Sequence, residues 1–158
     1  MKESAASRPG FITGKDLTAS LRVRQWTKNI LLFAPLLFAG RAFDSGSLLR
    51  ATAAFMLFCL VSGSVYIIND IIDAPKDREH PVKRHRPLAS GRMSLRAAWI
   101  VFIVLSLTVI PLSFMLGAPF GAVTAGYFFL QIAYTLYFKN IVILDVFAIS
   151  TGFLMRVI

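Results

Sequence analysis

Residues 97–138 read AAWIVFIVLSLTVIPLSFMLGAPFGAVTAGYFFLQIAYTLYF, and these 42 residues contain no Asp, Glu, Lys or Arg. A membrane-spanning helix needs about 20 apolar residues to cross a hydrocarbon core of roughly 30 Å. The stretch is therefore long enough for two spans, and Gly117, Ala118 and Pro119 supply the break between them. We predict spans over residues 97–116 and 119–138.

The remainder of the chain has the same apolar character. Of its 158 residues, 56% are hydrophobic and 16% are charged, whereas about a quarter of the residues in a typical soluble domain are charged. Three further apolar stretches predict spans over residues 30–43, 48–68 and 141–158. We therefore predict an all-α, polytopic transmembrane helix bundle that begins with a cytoplasmic tail, residues 1–20. Because the last span reaches the final residue without a polar anchor, we expect the sequence to be the N-terminal part of a longer protein.

The basic residues are distributed unevenly. Thirteen of the 17 Lys and Arg residues fall in two blocks, residues 2–28 and 76–96, and both blocks flank apolar spans. An excess of Lys and Arg on the cytoplasmic side is typical of membrane proteins. We therefore place the N-terminus and the loop after the second span on the cytoplasmic face of the cell (inner) membrane, near lipid headgroups. This distribution does not favour a nucleic-acid partner, despite the formal charge of +9.

An acidic cluster follows the second span. Asn69 precedes Asp70, Asp73 and Asp77, which are spaced i, i+3 and i+7 and therefore share one face of a helix. Oxygen ligands favour a hard cation such as Mg²⁺, which completes its shell with water and substrate phosphates. We predict that these three aspartates are the metal ligands and the catalytic residues, with Asn69 orienting a carboxylate or a phosphate. Pro75 leaves open whether Asp77 lies on the helix or on a loop.

Basic residues lie directly beside the acidic cluster. A metal site next to Lys and Arg side chains suits a diphosphate, because the cations neutralise the oxygens that the metal leaves free. Lys83 and Arg86 are candidates for phosphate contacts, and Lys28, before the first span, is a candidate for a lipid phosphate. The alternative is a charged loop that only fixes the topology, but topology requires no acidic stripe.

The acidic stretch NDIIDAPKDR, residues 69–78, resembles the NDxxDxxxD motif of the UbiA superfamily of intramembrane prenyltransferases. The stretches RQWTKN and REHPVKRHRP, residues 24–29 and 78–87, are similar to the decaprenyl-phosphate phosphoribosyltransferase branch of that superfamily, as are residues 134–139 and 152–156. The resemblance covers residues 21–158. It implies nine transmembrane helices around a cavity open to the cytoplasm, of which this chain carries about four and a half to five. It also implies a second polar motif, which this chain lacks.

The resemblance also implies an activity. In that activity, 5-phosphoribosyl diphosphate gives its phosphoribosyl group to a polyprenyl phosphate of the decaprenyl type, releasing diphosphate, for cell-wall arabinan precursor synthesis. Mg²⁺ is the implied cofactor, and an oligomer is compatible with this interpretation. The resemblance of residues 134–139 and 152–156 adds Tyr134, Lys139 and Arg156 to the candidate substrate-binding residues. Arg156 also lies within a predicted span, where ionisable groups normally face the bundle interior or a cavity.

Two alternatives stay open. A UbiA-type enzyme that moves a prenyl group from a prenyl diphosphate to an aromatic acceptor would use the same metal and diphosphate chemistry. The basic extension after Asp77 favours a phosphorylated sugar donor instead. A non-catalytic membrane subunit is the second alternative, and it predicts no Mg²⁺-dependent binding of diphosphate compounds.

Overall fold

The computed structural model describes residues 13–137, 150–152 and 154–155. The elements in this part of the chain are all helical, which confirms the predicted all-α class. They include two 3₁₀ helices, Val23–Phe33 and Lys83–His85. The five α-helices are α1 (Gly14–Ser20), α2 (Ala34–Phe38), α3 (Ser45–Glu79), α4 (Leu95–Leu116) and α5 (Ala118–Leu136).

Helix α3 is the central element and carries the acidic cluster. It begins after Asp44, whose carboxylate accepts a hydrogen bond from the Ser47 backbone N–H at 2.9 Å and so caps the helix. It continues for 35 residues, a length of about 52 Å, and passes through Pro75 without ending. The missing proline N–H falls in the last turns, where the helix loses a single backbone bond and continues. Asp77 therefore lies on the helix, which resolves the alternative that the sequence left open.

Helices α4 and α5 pack against α3 around an apolar core. A cluster of buried side chains joins the three helices: Phe58, Val61, Val65, Val109, Tyr127 and Phe128. Ser94 caps α4, and Gly117 separates α4 from α5 as the sequence predicts. A Cβ atom at Gly121 would lie 2.7 Å from the Phe114 Cα atom, so the close crossing of α4 and α5 requires glycine there. Helices α3 and α4 are both long and apolar enough to cross a membrane.

The first predicted span, residues 30–43, differs from the structure. These residues do not form one helix, because the 3₁₀ helix Val23–Phe33 gives way to α2, which ends at Phe38. Pro35 explains the break, since proline is tolerated in the first turn of a helix but disrupts an interior position. A five-residue helix is only about 7.5 Å long, which is too short to cross a bilayer. Most of the predicted span 141–158 lies outside the described residues.

The residues before the first apolar stretch form a strap across one end of the bundle. We call residues 13–22, which contain α1, the N-terminal strap. Leu21 is buried against Gly63 of α3, where an added Cβ would lie 2.7 Å from the Leu21 Cδ2 atom. The Arg92 Nε atom donates to the Asp16 carboxylate at 2.9 Å, and Arg92 also donates to the His85 carbonyl. The strap is thereby held against both α3 and the loop that follows it.

The attachment of the strap should depend on pH. The Thr13 hydroxyl and the Arg92 guanidinium both donate to the Asp16 carboxylate and hold its pKa below the usual value, against the opposing effect of partial burial. When the strap is released, the Asp16 pKa returns to about 3.9. The contribution of Asp16 to docking is therefore complete above that pH, and it is lost as the pH falls through the lowered pKa of the docked state.

A spin label tests this expectation. We expect a label on Ala19→Cys, an exposed position of α1, to become more mobile as the pH falls from about 6 to below about 4, while Leu21 and Arg22 still hold the strap. In the matched variant Asp16→Asn the label should show the greater mobility at both pH values. A pH response that persists in Asp16→Asn would assign the transition to another group.

Candidate functional site

Two aspartates of α3 form an ion-pair cluster with two arginines. The Arg22 Nη2 atom lies 2.7 Å from the Asp70 Oδ1 atom, and the Arg86 Nη1 atom lies 3.1 Å from the same oxygen. Arg86 Nη1 also lies 2.6 Å from the Asp77 Oδ2 atom. The Asp70 and Asp77 side chains are only 7% and 4% exposed. The seven-residue spacing, about two helical turns, places both carboxylates within reach of one guanidinium group.

Arg22 reaches this cluster from the end of the strap. Its backbone has φ +50°, in the left-handed region that residues other than glycine seldom adopt. The Arg22 guanidinium carbon lies 4.5 Å from the centre of the Tyr66 ring, one turn before Asp70 on α3. This cation–π contact and the Asp70 ion pair fix the guanidinium group over the polar part of α3.

A polar cavity lies beside the ion-pair cluster. It has a volume of about 280 Å³, and α3, α5 and the strap all contribute to its wall. The side chains that matter for its chemistry are those of Arg22, Tyr66, Asn69, Asp73, Gln131 and Tyr134. Of the residues predicted from the sequence, the cavity brings together Asn69, Asp73 and Tyr134, while Arg86 joins the neighbouring cluster. The space offers an acidic, a basic and an amide group to one ligand.

Other predicted site residues lie elsewhere or outside the described part of the chain. Lys83 is exposed on its 3₁₀ turn, and Lys28 is exposed in the 3₁₀ helix Val23–Phe33. Neither lines the polar cavity as described. Lys139 and Arg156 lie outside the described residues, so their assignment stays a prediction.

Arg22 and Gln131 line the cavity but are not among the residues predicted from the sequence. The signal for Gln131 was a lone amide within an otherwise apolar run. The sequence does not distinguish Arg22 from the other basic residues before the first apolar stretch. Its partner Asp70 is 48 positions further along the chain, and no local pattern predicts such a pairing.

The three aspartates do not converge on one point. Among the described residues, no group of three Asp, Glu, His or Cys side chains is arranged to hold a metal ion. Asp70 and Asp77 contact arginines, whereas Asp73 lines the polar cavity. Within the described part of the chain, Asp73 is the carboxylate that lines the cavity. A metal ion there would need further ligands from substrate phosphates and water, which is a common mode of Mg²⁺ binding in proteins. Ligation by all three aspartates stays a prediction.

Comparison with known proteins decides the family. Residues 30–158 match the model of the UbiA prenyltransferase family. The chain belongs to this family. Members of the UbiA family are polytopic, membrane-embedded helical proteins and are typically metal-dependent. The resemblance that residues 69–78 carry is thereby confirmed.

Individual curated proteins are similar to this chain over 90% or more of its length. The nodulation protein NoeC of Azorhizobium caulinodans is 38% identical over 99% of this chain. The decaprenyl-phosphate phosphoribosyltransferases of Mycolicibacterium smegmatis and Corynebacterium glutamicum are 37% and 34% identical over 90% and 99% of it. Because the aligned part is 50%, 46% and 48% of those three proteins, the chain spans about half the length of these relatives.

Proposed function

We propose that the protein transfers a phosphoribosyl group from 5-phosphoribosyl diphosphate to a polyprenyl phosphate and releases diphosphate. The observation that carries this proposal is the polar cavity, in which Arg22, Asp73 and Asn69 face one space beside an apolar bundle. A phosphorylated, water-soluble donor requires such charged groups, while a lipid acceptor requires the apolar surroundings. The names of the two phosphoribosyltransferase relatives support the same choice of substrates.

The side chains of the chain itself account for binding and orientation. In this proposal Arg22, which lines the cavity, donates to phosphate oxygens, and Arg86 beside it is a further candidate. A guanidinium group binds phosphate and carboxylate in the same forked geometry. Tyr134 lines the α5 side of the cavity and would orient the sugar or a phosphate through its hydroxyl group. The bond from the anomeric carbon to the diphosphate breaks, and a bond to the acceptor phosphate oxygen forms. That acceptor oxygen is already ionised at neutral pH, so the reaction needs no strong general base.

The proposed cofactor is Mg²⁺, with Asp73 as the ligand that faces the cavity and with Asp70 and Asp77 beside it. When bound, Mg²⁺ would neutralise the negative charge that develops on the departing diphosphate. We also propose that the site opens to the cytoplasmic face of the inner membrane, where the donor is soluble and the lipid phosphate lies at headgroup level. Lys28 remains a candidate for the lipid phosphate, and Lys139 and Arg156 remain candidate substrate-binding residues.

A second candidate function is transfer of a prenyl group from a prenyl diphosphate to an aromatic acceptor. The description of the matching family supports it, since that family is named for prenyl transfer. The same cluster of arginines and aspartates would serve a prenyl diphosphate. The basic loop with Lys83 and Arg86 favours the more highly phosphorylated donor, and so the phosphoribosyl reaction ranks first.

A donor assay distinguishes these functions. Membranes containing the full-length protein and polyprenyl phosphate would receive 5-phosphoribosyl diphosphate labelled in its ribose, with Mg²⁺ or with a chelator. We expect label to enter the organic-extractable lipid only when Mg²⁺ is present. Movement of label only from a prenyl diphosphate into an aromatic acceptor would replace our proposal with the second candidate. Transfer from neither donor would favour a non-catalytic subunit.

A further inference from the structure

Two arginines that are distant from each other in the sequence contact the same carboxylate oxygen. Arg22 precedes the helix and Arg86 follows it, yet both contact the Asp70 Oδ1 atom, at 2.7 and 3.1 Å. Arg86 extends the cluster to Asp77 at 2.6 Å. The two arginine side chains are only 20% and 26% exposed. Each of the two buried carboxylates thus has an arginine of the same chain as its partner.

This arrangement competes with metal binding. A Mg²⁺ ion requires ligand oxygens at about 2.0 to 2.1 Å in a strict octahedral geometry. An ion that approaches Asp70 therefore competes with two guanidinium groups for the carboxylate. A displaced guanidinium group would be left without an acceptor in a largely desolvated place, which is costly. A metal ion alone cannot replace the acceptor that the arginine loses.

A diphosphate removes that obstacle. Its oxygens accept from guanidinium groups in the same forked geometry as a carboxylate does. Arg22 already lines the polar cavity together with Asp73 while it contacts Asp70. Arg22 therefore borders both acceptors, and a rotation of its side chain would exchange one for the other while Leu21 and Asp16 keep the strap attached.

We propose that Arg22 is a placeholder cation, a guanidinium group that pairs with Asp70 until a divalent metal and a diphosphate bind. It then transfers to a phosphate oxygen and leaves its place at Asp70 to the metal, while Arg86 keeps its contact with Asp77. This inference rests on the proposed function only in assuming a diphosphate-bearing substrate. It makes binding of the metal and of the diphosphate reciprocally cooperative, because each ligand supplies what the other displaces.

The exchange has a signature that a merely structural ion pair lacks. Loss of the Arg22 charge should release Asp70 and so strengthen binding of the metal alone. The same change should weaken binding of diphosphate, because the protein loses a hydrogen-bond donor for the phosphate oxygens. A variant that only damages the fold would weaken both. The opposite signs therefore separate placeholder exchange from a structural role.

The test measures binding to the purified full-length protein, with Mn²⁺ in place of Mg²⁺ so that the free ion can be followed by electron paramagnetic resonance. In the wild type, inorganic diphosphate should tighten Mn²⁺ binding about tenfold or more. In Arg22→Gln, Mn²⁺ alone should bind about three- to tenfold tighter and diphosphate about tenfold weaker. The matched control is Arg24→Gln, which removes the same charge from an exposed position two residues away and should change neither constant by more than about twofold.

A second variant guards against misfolding as an explanation. Arg22→Lys keeps the positive charge but loses the two parallel N–H donors of the guanidinium group. Mn²⁺ alone should therefore bind as in the wild type, whereas diphosphate should bind more weakly. Weakening of both ligands in Arg22→Gln, or unchanged Mn²⁺ binding in it, would overturn the exchange. Cooperative binding without phosphoribosyl transfer would overturn only the proposed function, whereas transfer without cooperative binding would overturn only the placeholder role.

Discussion

Asp73→Asn is expected to reduce phosphoribosyl transfer by about 10² to 10³-fold without unfolding the protein. Asp73 is half-buried and lines the polar cavity, the space in which we propose that the donor binds. Asparagine has nearly the same shape but no charge, and it is a poor ligand for Mg²⁺. The ion pairs of α3 with Arg22 and Arg86 involve Asp70 and Asp77, which the substitution leaves in place. The measurements are transfer of ribose label into lipid and the thermal unfolding midpoint.

A matched control lies at the other end of the same helix. Asp44 caps the start of α3, far along the chain from the acidic cluster, and asparagine caps a helix about as well as aspartate does. Asp44→Asn should therefore retain both transfer and thermal stability. If Asp73→Asn kept more than about a third of the wild-type transfer rate, Asp73 would have no part in metal or diphosphate binding.

The acidic face of α3 was predictable because it depends on local geometry. Residues at i, i+3 and i+7 share a helix face at any position in any helix, and the structure places Asp70 and Asp77 accordingly. The effect of Pro75 was not predictable, because a proline near a helix end can either end the helix or be absorbed by it. The surrounding packing decides between these outcomes. Ala74, next to the proline, is buried in the cluster that includes Leu21 and Ile67.

The pairing of Asp70 with Arg22 shows why the rest of the site could not be predicted. The contact spans 48 positions and depends on a left-handed residue that turns the strap back over α3. A backbone conformation of that kind is a consequence of tertiary packing, and nothing in the residue type arginine indicates it. The prediction of one span over residues 30–43 was wrong for a similar reason. Hydropathy identifies the apolar residues, but the break into a 3₁₀ helix and the short α2 around Pro35 depends on tertiary packing.

Replacing Arg86 should have the largest effect on stability. In Arg86→Met, Asp77 loses the partner at 2.6 Å while its side chain stays 4% exposed, and Asp70 keeps only Arg22. Removal of one member of a buried ion pair typically costs about 3 to 5 kcal/mol. Because Arg86 is itself 26% exposed, we expect a loss of about 2 to 3 kcal/mol in the free energy of unfolding. Thermal unfolding in detergent, followed by circular dichroism, measures it.

A second substitution distinguishes two causes of the stability loss: the unpaired charge of Asp77 and the lost packing of the Arg86 side chain. In Arg86→Met/Asp77→Asn the unpaired buried carboxylate is gone, so the double variant should recover about half of the stability that Arg86→Met loses. Arg78→Met is the matched control, because Arg78 is exposed on the same helix next to Asp77, and its removal should cost less than about 0.5 kcal/mol. If Arg86→Met were as stable as Arg78→Met, the ion-pair cluster would not hold the loop to α3. If the double variant were no more stable than Arg86→Met, the loss would come from the packing of the arginine stem and not from the charge of Asp77.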